Sequence, residues 1–511
     1  MTKPLISSYK KLLKKVKDLF ILESATSVIH WDMETMMPPG AIKLRSQQLA
    51  LLSRIEHKMS TNPEIGKLLE EIMKRPEYDR LNAVQQRNVY LIKKNYDEQT
   101  KLPEDLVAEI AKQEAITVDV WKKAKAAKDF SMFKPKLEKL VDLKKKAAEI
   151  LVEVKETATP YDALIDIFEP KMPSETINKI FGELRGGLIS LIEKCETAPR
   201  QPDVSILKSR VPIDMQRRIS KTIARFVGYD TESREARGRI DETEHPFTTG
   251  YYDDVRVTTH YYEENFTSAI FSTLHECGHA LYDQNLNSEW MFQPVGTPCS
   301  MGFHESQSRF VENIMGRSRE FWIYFLPKLK KFTGNVLSDV DLDAFVFAIN
   351  QVRPSKIRIE ADEVTYGLHI IIRFNLEQDL LGGKITVTEL PEVWNQSYKD
   401  YLGVDIENDS EGVMQDTHWA SGFYGYFPSY TLGNIYSGHI LAAMEKDLPE
   451  WKNQIAQGNF HDIKQWLIKN IHSYGDLYDP SDLLKKTSGE ELSVKPYLSY
   501  LNEKYSKLYS F

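Results

Sequence analysis

Apolar residues recur three and four positions apart along most of the chain, which is the spacing of a helix that buries one face. The stretch from Thr267 to Asn285 shows the pattern well, because Ile270, Leu274, Cys277 and Leu281 form one continuous stripe. The same period returns from one end of the chain to the other. It predicts a mainly helical protein.

The spacing also predicts where several further helices and turns lie. Scaffold helices are expected over residues 42–59, 103–121 and 133–154, and again beyond residue 434. Pro38, Pro39 and Gly40 predict a turn ahead of the first of these helices. Residues 161–166 are interpreted as a break between helices, with Pro170 and Pro173 delaying the next helix.

The period changes to two between residues 243 and 262. There Val255, Val257 and Thr259 alternate with polar residues, and residues 248–250 signal a turn. One small antiparallel sheet is therefore predicted just before the helix of the first paragraph. Such a strand can offer its edge to an extended peptide, although an ordinary hairpin is the simpler interpretation.

Two segments of the C-terminal half have an unusual composition. Residues 351–381 are predicted to form one long helix, on which Arg358 and Asp362 lie one turn apart and form an ion pair. Residues 410–434 combine many aromatic side chains with glycine-rich breaks. This combination indicates an irregular segment rather than a plain helix.

Bulk composition excludes some classes of protein. The 511 residues include 66 Lys and Arg against 74 Asp and Glu, a net charge of −8 that argues against a general nucleic-acid surface. The lysines between positions 10 and 17 predict the solvated face of an amphipathic helix, and they interrupt any signal-peptide core. No apolar run approaches the roughly 18 residues of a membrane span. No low-complexity linker divides the chain, so we expect one large two-lobed domain over residues 1–511.

Cysteine usage favours a reducing compartment. The three cysteines, Cys195, Cys277 and Cys299, are an odd number and cannot all pair. We therefore expect a cytoplasmic protein. Cys277 points with the apolar stripe of its helix, which predicts a buried structural thiol rather than a metal ligand.

The helix around Cys277 also carries candidate chemistry. His275 and His279 lie one turn apart, so both imidazoles can bind one metal ion. Glu276 lies on a neighbouring face, where a carboxylate that is not a ligand can accept a proton from a water that the metal activates. The alternative is a chance coincidence on a core helix, which is rare in a chain with 12 histidines.

A third ligand follows on a second predicted helix. Glu305 stands 26 positions after His279, and proline and glycine residues at positions 294–298 turn the chain between the two helices. Two histidines and one glutamate with an open fourth position are typical of catalytic rather than structural zinc. Cobalt fits these ligands as well as zinc does.

Further motifs accompany this pattern along the chain. They are HWDMETMMP at 30–38, HPF at 245–247, DVRVT at 254–258, HESQ at 304–307, IRIEAD at 357–362 and GVMQDTHW at 412–419. In these motifs the chain resembles the carboxypeptidase Taq family of metallocarboxypeptidases over nearly its whole length. The resemblance implies a saddle-like helical fold with a deep cleft, commonly as a homodimer. We expect an N-terminal helical arm over about residues 1–75 and a metal-binding core over about 240–435.

The resemblance also implies an activity, the release of single amino acids from the free C-terminus of peptides with broad specificity. His245 and Arg256 belong to motifs that the family carries beside its cleft, so they become candidates for substrate contact. Arg358 opens another motif and is the favoured partner for the terminal carboxylate, because a guanidinium binds a carboxylate in a bidentate fork. Arg256 and Arg353 are the next candidates.

The expected mechanism uses Glu276 as general base. His418, Tyr426 and Tyr430 are candidates for stabilising the oxyanion, and the sequence does not distinguish the two tyrosines. An oligoendopeptidase that cuts short peptides internally is the alternative, since it would use the same metal and base and differ only in recognition of the terminal carboxylate. A catalytically silent helical interaction protein is disfavoured because no ligand or base is missing.

Overall fold

The computed structural model describes residues 3–511, and these residues are mainly helical, which confirms the prediction. The α-helices are, in chain order, α1 Lys3–Thr35, α2 Ile42–Ser60, α3 Pro63–Met73, α4 Ala83–Lys101, α5 Glu104–Ala127, α6 Phe130–Lys155, α7 Pro160–Phe168, α8 Ser174–Thr197, α9 Ile213–Val227, α10 Phe266–Gln284, α11 Met301–Arg309, α12 Arg319–Thr333, α13 Leu342–Ile349, α14 Tyr366–Leu381, α15 Leu390–Leu402, α16 Phe427–Asp447, α17 Trp451–Ala456, α18 His461–Asn470, α19 Pro480–Ser488 and α20 Lys495–Tyr509. A π-helical turn, Phe310–Met315, continues α11. Across residues 3–511, none of these helices combines the length and the apolar character that a membrane crossing requires.

The chain folds into two compact units that each draw on separate stretches of sequence. Unit 1 contains the chain up to Gln99, Asp203–Ile349 and His439–Glu491. Unit 2 contains Thr100–Pro202, Asn350–Gly438 and Leu492–Phe511. The segment 240–435, expected to form the metal-binding core, is divided between the two units at residues 349 and 350.

The first helix of unit 1 has the amphipathic character that its lysines predict. Leu12, Val16 and Leu19 of α1 are buried, whereas the lysines at 10, 11, 14 and 17 are exposed. The buried side packs in a cluster with apolar residues of α3 and α4, including Leu68 and Val89. The basic residues are thus the solvated face of a core helix.

The small sheet of unit 1 is mixed, whereas we predicted an antiparallel one. Its strands are β1 Gly238–Glu242, β2 Thr248–Tyr251 and β3 Asp254–Thr259, in the order β1-β3-β2. The β2–β3 hairpin is antiparallel and pairs Thr248 with Val257, but β1 lies parallel to β3 on the other side. The strand β1 contains a single large apolar residue, Ile240, so no alternation marks it in the sequence.

The helix α10 lies against this sheet and forms the centre of unit 1. It contacts β3, α9 and α11. Val255 and Val257 of β3 are fully buried, as are Leu274 and Cys277 of α10. The thiol of Cys277 is therefore a buried, unpaired core group, as predicted.

Residues 351–381 do not form one helix, which corrects the sequence interpretation. Residues 351–365 are irregular apart from a short 3-10 turn at Arg358–Glu360, and α14 begins only at Tyr366. Asp362 accepts hydrogen bonds from the backbone N–H groups of Arg353, Val364 and Thr365. A short carboxylate that binds backbone groups in this way competes with helix formation.

Two further segments differ in part from the prediction. Residues 161–166 belong to α7 rather than to a break, because Thr159 caps the helix by accepting from the N–H of Asp162 and Pro160 starts it with a preset φ. Residues 410–426 are irregular as predicted, but α16 begins at Phe427, earlier than the expected boundary near residue 434.

Candidate active site

Three side chains of unit 1 converge on one point. His275 and His279 of α10 and Glu305 of α11 bring their ligand atoms within 4.8 Å of one another. The Nε2 atoms of His275 and His279 lie 3.6 and 3.3 Å from Oε2 of Glu305. The structure thus brings together the three residues predicted as metal ligands.

Close contact between the two helices makes this convergence possible. A Cβ atom at Gly278 would lie 2.6 Å from the carbonyl oxygen of Gln307 and from Cα of Ser308, both on α11. Only glycine permits backbones to approach to this distance without a shift. Gly278 is therefore the residue that allows α11 to carry Glu305 up to the two histidines.

Charged partners fix the orientation of two of the ligands. Nδ1 of His275 donates to Oε2 of Glu312 at 2.8 Å, and Nε of Arg309 donates to Oε1 of Glu305 at 2.6 Å. Arg309 and Arg317 flank Glu312 at 3.4 and 3.5 Å. Partners of this kind set the tautomer and ring orientation of a metal-binding histidine. Glu312 lies in the π-helical turn after α11 and is not among the residues predicted from the sequence.

The protonation states of these groups suit a cation. Burial opposes ionisation of Glu305, but Arg309 and His275 outweigh it and hold the pKa of Glu305 well below its usual range. Glu312 behaves alike, since its bond with His275 and the nearby Arg309 overcome burial and lower its pKa to about 2. Burial, reinforced by His304, lowers the pKa of His279 to about 3. Glu305 and Glu312 are therefore favoured as ionised carboxylates and His279 as a neutral imidazole, the forms that bind metals or support their ligands.

Glu276 lies beside the ligands without being one of them. The hydroxyl of Thr248 on β2 donates to Oε2 of Glu276 at 2.7 Å and approaches its backbone carbonyl at 2.9 Å. The glutamate is 6% exposed, and its burial raises its pKa above the ordinary value. A raised pKa brings a carboxylate closer to the range in which it can take up and return a proton.

His304 supports the site from the far side of His279. Its ring stacks on that of His279 with centroids 4.3 Å apart, and its Nε2 donates to Oδ1 of Asp283 at 3.2 Å. The stack restricts how the His279 ring can turn. His304 is thus a neighbour of the ligand set rather than a member of it.

The two sheet residues predicted to contact substrate have different surroundings. His245 is exposed in the segment before β2. Arg256 of β3 donates through Nε and Nη2 to the carboxylate of Asp254 at 2.7 and 2.8 Å, and it covers the ring of Trp31 at 4.2 Å. Arg239 covers the same ring at 4.6 Å. The guanidinium of Arg256 is thus already engaged, whereas His245 is accessible.

Unit 2 holds the remaining candidates, grouped around Asp416. Arg358 donates through Nε and Nη2 to Oδ1 of Asp416 at 3.0 and 2.8 Å, and Arg373 donates through Nε to Oδ2 at 2.7 Å. The partner of Arg358 is therefore Asp416. The pair with Asp362 that the helical spacing predicts is wrong. Burial opposes ionisation of Asp416, yet the two arginines hold its pKa far below its usual range. Two guanidiniums share one carboxylate here.

Aromatic side chains and a histidine complete this group. The guanidinium of Arg358 lies 5.1 Å from the ring centroid of Tyr430, whose hydroxyl is hydrogen-bonded to Nε2 of His418 at 3.0 Å. The rings of Tyr426 and Tyr430 meet edge to face at 5.1 Å. Burial, with Arg358 nearby, lowers the pKa of His418 to about 3. The imidazole is therefore neutral near pH 7 and can act as a neutral hydrogen-bond donor.

A cavity of about 330 Å³ adjoins the same group in unit 2. Asp416 and Gln415 line it together with Ile357, Ile359 and Lys125. Its volume falls in the range of small-molecule sites. The residues on either side of Arg358 thus border a space that can hold a ligand group.

Known proteins match the chain over almost its entire length. A family model described as carboxypeptidase Taq (M32) metallopeptidase matches residues 11–505. The chain belongs to this family. Carboxypeptidase 1 of Bacillus subtilis is 39% identical over 509 residues, which cover 99% of each chain.

Solved structures agree with this assignment. The M32 carboxypeptidase from Deinococcus radiodurans is 34% identical and superposes with a TM-score of 0.94 over 99% of this chain and 100% of that one. Metallocarboxypeptidase 1 of Trypanosoma cruzi is 30% identical, with a TM-score of 0.91 over 98% and 99% of the two chains. As an M32 family member the protein is a metallocarboxypeptidase, and so a metal-dependent peptide hydrolase.

The donor atoms of unit 1 fit the divalent metal that membership of the M32 family implies. Ligands at about 2.0–2.1 Å from a tetrahedral metal lie about 3.4 Å from one another. The separations of 3.3 and 3.6 Å between the histidine nitrogens and Glu305 match that edge length. His275, His279 and Glu305 are therefore the residues of this M32 enzyme that would hold the metal.

Several residues of this M32 enzyme that shape the site escaped the sequence analysis. Thr248 was interpreted only as part of a turn, and Glu312 and Arg309 were not singled out. A glutamate or arginine a few residues beyond a predicted metal ligand is a usable signal, because ligands need charged partners. Thr248 has a weaker signal, its position directly after the HPF motif.

Proposed function

We propose that this metallocarboxypeptidase releases single amino acids from the free C-terminus of peptides with broad side-chain specificity. The observation that carries the proposal is the pair of arginines that share Asp416, because the pair retains a positive charge in a largely buried place. Such a charge favours an anion that lacks its own counter-ion. The terminal carboxylate of a peptide is the anion that distinguishes an exopeptidase substrate from the interior of a chain.

Arg358 is the arginine that we assign to the substrate. Its side chain is 8% exposed, whereas that of Arg373 is fully buried. Nη1 of Arg358 donates to the hydroxyl of Tyr366 at 3.0 Å, so the guanidinium is fixed from two sides and pre-ordered. Arg256 ranks behind it because Arg256 has the carboxylate of Asp254 to itself, whereas Arg358 shares Asp416 with Arg373. Arg353 ranks behind it because it is exposed.

The remaining roles follow from the chemistry of each group. A bound divalent metal, zinc by preference and cobalt as an equal fit to these ligands, would make a coordinated water acidic near neutral pH. Glu276 accepts a proton from the attacking water and passes it to the leaving amine. His418, Tyr426 and Tyr430 are proposed as donors to the developing oxyanion, with neutral His418 able to offer an N–H. His245 is proposed as an accessible substrate contact.

We also propose a homodimer that works in the cytoplasm. Three buried cysteines that form no disulfide are consistent with a reducing compartment. The net charge of −8 supports peptides rather than nucleic acids as partners. Sedimentation of the purified protein tests the dimer directly.

A digestion experiment tests the proposed direction of cutting. One peptide of about ten residues is prepared with a free and with an amidated C-terminus, and its products are followed by mass spectrometry. We expect stepwise loss of single residues from the free peptide and little cleavage of the amidated one. Internal cleavage of both peptides at similar rates would instead indicate an oligoendopeptidase.

A further inference from the structure

A buried carboxylate outside every motif lies behind the proposed oxyanion donors. Glu377 of α14 is fully buried in unit 2. Its Oε1 accepts from Nε1 of Trp419, and its Oε2 accepts from the hydroxyl of Tyr161 and from the backbone N–H of Gly425, each at 2.9 Å. Burial raises the pKa of Glu377 to about 7 even though three donors oppose that shift. Burying a carboxyl group in this way costs free energy, so its position needs an explanation.

The positions of the three donors give that explanation. Trp419 directly follows His418, and Gly425 directly precedes Tyr426. Glu377 therefore binds both ends of the irregular loop 419–425, and two of the three proposed oxyanion donors, His418 and Tyr426, are the residues just outside it. One acceptor group fixes the spacing of both.

The helix α7 closes the loop from the other side. A Cβ atom at Gly425 would lie 2.7 Å from the backbone of Leu164 and Ile165, and Gly425 has φ +82°. Phe168 at the end of the same helix meets the ring of Tyr426 edge to face at 4.9 Å. Because α7 also supplies Tyr161, helix, loop and Glu377 form one connected support.

The donor types make the carboxylate irreplaceable. An indole N–H and a backbone N–H can only donate, and because they reach different oxygens of Glu377, both oxygens must be acceptors. Glu377 offers two such oxygens. A glutamine offers one, and its NH₂ group would face an N–H whichever way the amide turned.

We propose that Glu377 is a positioning residue that holds His418 and Tyr426 in place through Trp419 and Gly425. This inference rests on the proposed function, because it assumes that His418 and Tyr426 serve the oxyanion. Glu377 itself touches neither substrate nor metal ligands in this scheme. It acts through the loop.

The test compares E377Q with a matched variant, E363Q. Glu363 is a second buried carboxylate of unit 2 with three donors, Tyr500, Lys504 and Tyr505, all on α20. The two tyrosine hydroxyls can reverse their hydrogen bonds toward an amide. Both variants replace a buried carboxyl group by an amide, but only E377Q places an amide N–H against an obligate donor beside the loop.

We expect E377Q to lower kcat about tenfold or more, with KM and metal content close to those of the parent. Hydrogen exchange in the peptide spanning residues 418–426 should become faster in E377Q. E363Q should lose thermal stability yet keep kcat within about twofold and leave exchange in 418–426 unchanged. If E377Q does not fold, Tyr161→Phe removes one of the three donors and should lower kcat a few-fold in the same direction.

Three results would overturn the inference. These are a kcat of E377Q within about twofold of the parent, unchanged exchange in residues 418–426, or an equal loss of kcat in E363Q. Failure of the proposed function is separately visible, because the parent would then release no residue from the free C-terminus. In that case exchange alone still decides whether Glu377 holds the loop.

Discussion

The metal site of unit 1 and the arginine group of unit 2 are both buried and charged. Carboxyl groups are in excess over arginines in the first, and arginines are in excess over carboxylates in the second. In unit 1 the carboxylates of Glu305 and Glu312 contact the guanidiniums of Arg309 and Arg317, and the carboxyl group of Glu276, bound by Thr248, is close by without an arginine partner of its own. In unit 2 two guanidiniums share one carboxylate. Unpaired buried charge is costly, so the first place favours a cation and the second an anion.

The two groups also differ in the secondary structure that carries their residues. The metal ligands stand on two regular helices held together by a glycine contact, which leaves little freedom in their relative positions. The arginine group draws Arg358 and His418 from irregular segments, so those residues depend on hydrogen bonds such as that of Glu377 to keep their geometry. Damage to the first site should appear in metal binding, and damage to the second in substrate recognition.

The largest effect is expected from Glu276→Gln, which should reduce hydrolysis about 10²–10⁴-fold because the proton acceptor is lost. The amide can still accept the hydroxyl hydrogen bond of Thr248, so the fold should persist. Metal content, measured by atomic emission, should equal that of the parent. A variant that lost its metal along with its activity would make Glu276 a ligand and refute the assigned role.

This contrast also explains how much of the molecule the sequence predicts. The helices α10 and α11 follow from local spacing. His275 and His279 lie one turn apart on α10, and Glu305 follows on α11. Gly278 lies inside the same motif. A site whose residues lie on regular helices can therefore be predicted from a single sequence.

The arginine group of unit 2 cannot be predicted in this way. The i and i+4 spacing of Arg358 and Asp362 predicts a pair, but Asp362 binds backbone N–H groups and α14 begins only after it, at Tyr366. The true partner, Asp416, lies 58 positions away. Contacts of this range depend on how helices pack, which periodicity does not encode. The parallel strand β1 is missed for a different reason, because no alternation of apolar and polar residues marks it.

The second prediction concerns Arg358→Ala. It should weaken cleavage of peptides with a free C-terminus by a factor on the order of 10² or more, because a charge-assisted contact to the terminal carboxylate is lost. Asp416 keeps Arg373 as partner, so the fold should tolerate the change.

Amidated peptides, already poor substrates, should barely change for Arg358→Ala, and metal content should stay at the parental level. Equal impairment on free and amidated peptides would remove Arg358 from this role. Arg256 and Arg353 would then be the next to test. A lysine at position 358 should not restore activity fully, since it lacks the planar fork.

The third prediction tests whether Glu312 strengthens metal binding through its hydrogen bond with His275. Glu312→Gln should lower metal affinity about 10–100-fold, because Nδ1 of His275 then donates to a neutral acceptor. Titration of the metal-free protein with zinc against a competing chelator measures this without reference to activity. Glu289→Gln, which neutralises an exposed carboxylate of the same unit, provides the control. Equal affinity in both variants would show that Glu312 does not support the ligand.

The smallest effect is expected from Gly278→Ala, which tests the helix contact itself. The new methyl group would lie 2.6 Å from backbone atoms of Gln307 and Ser308, so α10 and α11 must separate slightly. Overpacking of this kind costs about 1–3 kcal/mol of stability, and it moves Glu305 relative to the two histidines. We expect a lower melting temperature and weaker zinc binding together.

Gly186→Ala on α8 is the matched control for this change, because no atom lies within 4 Å of the position its Cβ would take. There alanine should leave zinc binding unchanged and stabilise the helix by up to about 1 kcal/mol through its higher helix propensity. If Gly278→Ala behaved like Gly186→Ala in both measurements, close approach of the helices would not be what sets the ligand geometry. The ordering of Glu305 by Arg309 would then have to account for it alone.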